Sequence, residues 1–225
     1  LWTKKNKAIM YESRVKASKI LYQECLNKNI KIKTFISASA MGYYGFNQHG
    51  VKKETDNPGN DWMSKLCVDW ESKADDFKSI GARVIKLRFS LILDKRSGLL
   101  NKTCLSFMLG IGIKFSSGTQ QLPWIHINDA SKFVLYALKT KSIQGVFNIA
   151  SPHKTSYYEF IKTIQRIKYP KSILIKMPII LIKLIFPQKR VLLLNDISLS
   201  IDKMKETEFK WEFPTLEQAL KQELI

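Results

Sequence analysis

Residues 34–45 read TFISASAMGYYG, and the reading of this stretch decides the fold. With the preceding IKIK (30–33) it passes from alternating polar and apolar residues into an apolar run rich in β-branched side chains. That is the pattern of a central parallel strand, covered on both faces. Two serines, two glycines and two tyrosines then crowd into residues 37–45. Such a strand end is either a tight loop or the turn at which a strand presents chemistry to a ligand.

The flanking sequence favours the second reading. Upstream, Thr3 is a candidate N-cap, and residues 4–28 place Ile9, Val15, Ile20, Leu21 and Leu26 near helical spacing, which predicts one long helix. Downstream, a polar loop with Pro58 and Gly59 leads into DWMSKLCVDWESKADDFKSI (61–80), an amphipathic helix that Gly81 stops. ARVIKLRFSLIL (82–93) then reads as a second buried strand. Helix, strand, helix, strand in this order predicts an α/β fold with a parallel sheet and helices on its faces. Ligands in such folds bind outside the carboxyl ends of the strands, where both SASAMGYYG and RFSLIL fall.

Beyond residue 95 the pattern loosens. GLLNKTCLSFMLGIGI (98–113) is expected as a helix ending in glycines, GIGIKFSSG (110–118) as a loop and PWIHI (123–127) as a short strand. NDASKFVLYALKT (128–140) reads as a helix capped by Asn128 or Asp129, and GVFNIAS (145–151) as a strand. Ser156 and Glu159 have capping-box spacing at the start of the next helix. The tail, 200–220, reads as two short helices around an aromatic turn.

Among 225 residues, 45% are hydrophobic and 25% charged, a globular composition that argues against disorder. Lys and Arg number 37 against 19 Asp and Glu, a formal charge of +18. Such an excess attracts polyanions. The lysines are nevertheless dispersed, without an arginine-rich stripe or an aromatic-interleaved patch, so no nucleic-acid partner is expected. Cys25, Cys67 and Cys104 lie too far apart for a zinc or redox motif, which leaves no expected metal site and suits a reducing cytoplasm. ILIKMPIILIKLIF (173–186) is interrupted by Lys176, Pro178 and Lys183, and falls short of the roughly 20 apolar residues a membrane span needs. It reads as a buried strand followed by a short helix from Pro178, or as a basic helix lying on a membrane. With VLLL (191–194) it is also a candidate for a hydrophobic pocket wall or a homodimer contact.

In order along the chain, LWTKKNKAIMYESRV, ISASAMGYYG, LCVDWESKA, GARVIKLRFSLIL, GIGIKFSSGTQQLPWIHINDAS, GVFNIASP and EFKWEFPTLEQAL resemble the extended, epimerase-like branch of the short-chain dehydrogenase/reductase superfamily. More narrowly, the chain is similar to epimerase family proteins of the nucleoside-diphosphate-sugar epimerase type, which carry a small C-terminal domain of unknown function. The resemblance covers essentially the whole chain. It implies a Rossmann-like, doubly wound parallel sheet, with a partial NAD(P)-binding domain over 1–150 and a small α+β substrate-side domain over 151–225. The family's TGxxGxxG turn, whose backbone N–H groups cradle a pyrophosphate, does not occur in this sequence. An amino-terminal part of the fold is therefore expected to precede Leu1.

The resemblance also assigns candidate site residues. Ser39 takes the place of the hydroxyl that bonds the reacting oxygen, unless an ungapped alignment puts Ala40 there, and Ser37 and Ala38 line the cofactor channel. Alternatively, the serines only satisfy backbone groups at a strand end. The superfamily's Tyr-x-x-x-Lys pair is replaced by Cys67 and Glu71. A carboxylate beside a thiol raises the thiol pKa, so Cys67 is a weak acid/base or a small buried hydrophobe. Glu71 remains a candidate acceptor for ribose hydroxyls. Tyr43 and Tyr44 are alternative proton donors that need a cationic neighbour to act as a base. Arg14 is a candidate for that neighbour, or for binding an anionic substrate. LRFS (87–90) matches the segment beside the nicotinamide carboxamide, which makes Arg88, Phe89 and Ser90 candidate cofactor contacts. His126 is expected to be structural. The implied function is an NAD(P)-dependent oxidoreductase or epimerase acting on an unidentified small-molecule substrate, a nucleotide-sugar or another carbonyl or hydroxyl compound, with NADP slightly favoured over NAD. The alternative is a non-catalytic NADP(H)-binding scaffold or redox-responsive interaction module.

Overall fold

The computed structural model describes residues 2–46, 48–185 and 194–225. Thr3 caps the first helix by accepting the Asn6 N–H, as its sequence position predicts. That helix runs as α1 (Lys4–Tyr11), a π-helical stretch (Glu12–Lys16) and α2 (Ala17–Asn27). β1 (Thr34–Ala40) follows, then a 3-10 turn (Met41–Tyr44) and β2 (His49–Lys52). The Asp61 carboxylate caps α3 (Trp62–Asp75), and β3 (Arg83–Phe89) and β4 (Leu91–Leu93) come next. After α4 (Gly98–Met108) are β5 (Ile111–Phe115), β6 (Trp124–His126), α5 (Ile127–Lys139) and β7 (Gly145–Ile149). The remainder holds α6 (Tyr157–Lys168), β8 (Ile173–Met177), α7 (Ile179–Ile185), β9 (Asp196–Leu199), α8 (Asp202–Lys205) and α9 (Leu216–Leu224).

The central sheet has the order β1-β3-β7 and is parallel throughout. Three further parallel pairs, β2–β9, β4–β6 and β5–β8, flank it. Two of them join strands before residue 150 to strands after it, so the C-terminal segment is woven back onto the earlier one. Side chains alternate along a strand, and β3 shows what each face of the sheet meets. Ile85 and Leu87 join Phe133 and Ala137 of α5, Phe147 of β7 and Met204 of α8 in one buried cluster. Val84 joins Cys25 of α2 and Ala74 and Phe77 at the end of α3 in another. Helices therefore cover both faces. A third cluster, with Phe107, Trp124, Phe160 and Leu220, lies around α4, α6 and α9. Each fully buried Phe or Leu contributes about 1.5–3 kcal/mol relative to exposure.

Four local expectations are corrected. GIGIKFSSG is not all loop: 111–115 form β5, because Gly112 leaves room for Phe107 and Leu174 to close over it. ARVIKLRFSLIL is two strands, because the chain changes partners at Ser90. There the Ser90 N–H bonds Ile149 O at 3.0 Å and the next one, Leu91, bonds Pro123 O at 3.1 Å. The cap of α5 is neither Asn128 nor Asp129 but His126, whose Nδ1 accepts the Asn128 N–H. Asp129 instead accepts the N–H groups of Glu212 and Phe213, tying down the aromatic turn of the tail. Finally, β8 is not buried, and Ile173 stands 61% exposed. The helix after Pro178 is present, whereas residues 191–193 of VLLL lie outside the described residues.

Candidate functional site

The site grows from one feature of β3: two cations, Lys86 and Arg88, at alternate positions of a buried strand. Residues two apart on a strand share a face, and residues four apart on a helix share a side. β3 and α3 use this match. Lys86 Nζ reaches Asp75 Oδ2 at 2.6 Å, and one helical turn away Arg88 Nε reaches Glu71 Oε1 at 2.8 Å. Arg88 Nη2 bonds Glu71 Oε2 at 3.0 Å, completing a bidentate pair. The β1–β3 register sets Ser39 opposite Arg88, and the Ser39 hydroxyl donates to the same Glu71 Oε1 at 2.7 Å.

The rest of the network closes from the SASAMGYYG turn. Arg88 Nη1 donates to Tyr44 Oη and to Glu54 O, both at 3.1 Å. The Tyr44 hydroxyl donates to Asn148 Oδ1 at 2.7 Å. Asn148, fully buried on β7, gives its amide to Lys52 O and Ser200 O and its backbone N–H to Glu54 Oε1. Two glycines let this turn sit so close. Gly45 has φ +83°, and its Cα approaches Gly59, where an added Cβ would stand 2.7 Å from Gly45 Cα and Tyr44 O.

Burial sets the titration behaviour. Loss of solvent pushes the Tyr44 phenol up to about 12, with Arg88 only partly opposing it. Burial and then the Glu71 carboxylate push the Cys67 thiol up to about 12. Burial works against the Arg88 charge, but the paired Glu71 outweighs it and the guanidinium stays protonated.

The structure thus brings Ser39, Tyr44, Cys67, Glu71 and Arg88 together. Tyr43 lies over them, its ring 3.3 Å from the Arg88 guanidinium. It is half-buried, and its hydroxyl has no hydrogen-bond partner among the described residues. Ser37 is buried and donates to Ala38 O, while Ala38 itself is exposed on the other face of β1. Phe89 is half-buried, and the buried Ser90 hydroxyl has no partner among the described residues. Arg14 stays apart: it stacks on Trp70 at 5.4 Å and bonds Met10 O and Ser13 Oγ. His126 is buried, with Nε2 3.0 Å from Glu223 Oε1. Sequence reasoning missed Asn148 and Glu54. A lone amide inside the apolar run GVFNI was the available signal for Asn148. Among the described residues no His, Cys, Asp and Glu cluster could hold a metal ion.

A parallel sheet with helices on both faces, and a polar cluster at the carboxyl ends of its strands, defines a Rossmann-like α/β protein of the ligand-binding kind. The NAD dependent epimerase/dehydratase family matches residues 1–150, and the chain belongs to that family. An epimerase family protein of Staphylococcus saprophyticus is 30% identical over 97% of this chain and 74% of its own length. One from Mycobacterium leprae is 30% identical over 71% of this chain and 51% of its own. Among solved structures, human epimerase family protein SDR39U1, determined with NADPH, superposes with a TM-score of 0.85 at 24% identity, covering 99% of this chain and 76% of that one. A nucleoside-diphosphate sugar epimerase from Corynebacterium glutamicum gives 0.77 at 24% identity, covering all of this chain and 44% of its own. Both show the shared fold. No helix among the described residues is long and apolar enough to cross a membrane.

Proposed function

We propose that this chain binds NADP(H) or NAD(H) and acts as an oxidoreductase or epimerase on a small carbonyl or hydroxyl substrate, with Tyr43 moving the proton. One observation carries the assignment of the proton carrier. Of the hydroxyl and thiol groups gathered at the strand ends, Ser39, Tyr44 and Cys67 are buried and engaged or held protonated, whereas Tyr43 is only half-buried and its hydroxyl has no partner among the described residues.

The residues present fit the nicotinamide end of the cofactor. Ser90 supplies an orphaned buried hydroxyl at the carboxyl end of β3, a ready partner for a carboxamide, and Phe89 and Ala38 supply flat walls. A bound nicotinamide supplies the hydride donor and acceptor. The chain's own residues orient the substrate, with Tyr43 giving or taking the proton at the reacting oxygen. Glu71, both oxygens taken, holds Arg88 under the Tyr43 ring. NADPH is the favoured form, the cofactor named for SDR39U1.

The competing reading is a non-catalytic NADP(H)-binding scaffold, favoured by Glu71, which stands in the Lys place of the Tyr/Lys pair and is bound to Arg88 in an ion pair. Fluorescence titration with NADPH and NADH, then turnover on carbonyl and sugar-nucleotide panels, separates the two. Tyr43→Phe is expected to lower kcat about 10²–10⁴-fold with cofactor affinity unchanged. Binding without turnover assigns the scaffold, and absence of binding removes both readings.

A further inference from the structure

We propose that the face formed by α7, β8 and the α4–β5 turn docks on an anionic membrane surface. β5 and β8 form a two-stranded ladder with one face closed by Phe107 of α4. Ile173 projects from β8 at 61% exposure, and Leu109, in the turn entering β5, stands 82% exposed. The ladder joins them, because the Ile173 N–H bonds Gly110 O at 2.9 Å. α7 follows β8 directly in the chain, through Pro178. Ile182 is fully buried in the cluster of Phe160 and Leu220 and fixes the helix, while Ile180 and Leu184 stand 79% and 76% exposed. Large aliphatic side chains exposed in neighbouring elements are the mark of an interaction surface when they form one patch.

Charge names the occupant. There is no Asp or Glu in residues 95–128 or in residues 160–195, the stretches of sequence that contain these elements. Lys102, Lys171, Lys176 and Lys183 are exposed there, and none forms an ion pair among the described residues. Arg166, also in these segments, is already held by Glu217. Exposed aliphatic side chains framed by lysines of one sign are what an anionic bilayer interface takes: the aliphatics enter the acyl boundary, and the ammonium groups meet lipid phosphates. A protein interface core draws instead on aromatic residues and arginine. Nucleic acid recognition needs stacking rings or a phosphate groove, and neither is present among these exposed residues.

The test is co-sedimentation of the 225-residue chain with vesicles of phosphatidylcholine alone or mixed with phosphatidylglycerol. Binding is expected to the mixed vesicles, to weaken with added salt, and to be about tenfold or more weaker without the anionic lipid. Ile180→Asp with Leu184→Asp should reduce it by a further factor of about ten or more, with circular dichroism and melting unchanged. Ile225→Asp, an exposed aliphatic elsewhere, should leave it intact. No vesicle binding, or binding that the double variant leaves unchanged, overturns the proposal. A concentration-dependent dimer in sedimentation velocity that the double variant dissociates assigns the face to a second copy of the chain instead.

Discussion

In β3 and in the β8–α7 segment the sequence is alike, an apolar run interrupted by cations, yet the two regions have opposite fates. Lys86 and Arg88 of β3 point at carboxylates one turn apart on α3, and the strand is buried. Lys176 and Lys183 meet no carboxylate among the described residues, and Ile175 and Leu184 beside them stay exposed. What differs is the partner element. A charge enters the interior only where another element supplies its counter-charge in register, since an unpaired buried ion costs several kcal/mol.

The comparison breaks most sharply at Arg88. Its side chain is 3% exposed and that of Glu71 7%, so Arg88→Met leaves a buried carboxylate without its partner. We expect a loss of about 3–5 kcal/mol, read as a fall in the denaturant midpoint. Glu71→Gln combined with Arg88→Met should recover part of it, because both charges are then gone. A single-variant loss below about 1 kcal/mol would mean that the pair is not desolvated.

This contrast also marks how far the sequence was legible. The helices over 4–27 and 62–75 and the strands over 34–40 and 83–89 follow from hydrophobic period and capping residues that sit beside them in the chain. Ser39, Cys67, Glu71 and Arg88 were reachable because the resemblance aligned them. The pairing of Glu54 with Asn148 was not, since they meet across 94 residues; the lone amide of Asn148 marks a buried polar group but does not name its partner. His126 escaped as a cap because capping is ordinarily the work of Ser, Thr, Asp or Asn. The exposure of β8 was hidden for a related reason: an apolar strand reads as buried wherever its covering element lies elsewhere in the chain.

A middle-sized effect comes from pH. The Cys67 thiol goes from 9.0 to about 12 on folding, with burial and then Glu71 as its causes. The native state therefore keeps a proton that the unfolded chain gives up. Stability from this group is whole below about pH 9 and is lost as pH rises toward 12, by about 1.4 kcal/mol per unit. Tyr44 adds to the loss above its unfolded value of 10.0. Cys67→Ala should flatten the slope between about pH 9 and about pH 10, measured by denaturant titration against the parent chain. An equally steep decline in the variant would show that the thiol is not the group responsible.

The smallest expected effect tests the other side of the comparison. At 79% exposure Ile180 has little to lose, so Ile180→Asp should change stability by no more than about 0.5 kcal/mol. The neighbouring Ile182, fully buried, should behave differently: Ile182→Ala removes packed methyl groups beneath α7 and should cost about 2–5 kcal/mol. Measured together, the two substitutions ask whether α7 is held by a single side chain while its remaining aliphatics face outward. If Ile180→Asp proves as costly as Ile182→Ala, then Ile180 is covered in solution, and the face offered to a membrane is already occupied within the molecule or by a second copy of it. If only Ile182→Ala is costly, the aliphatic surface is free at no expense to the fold, the condition that docking requires.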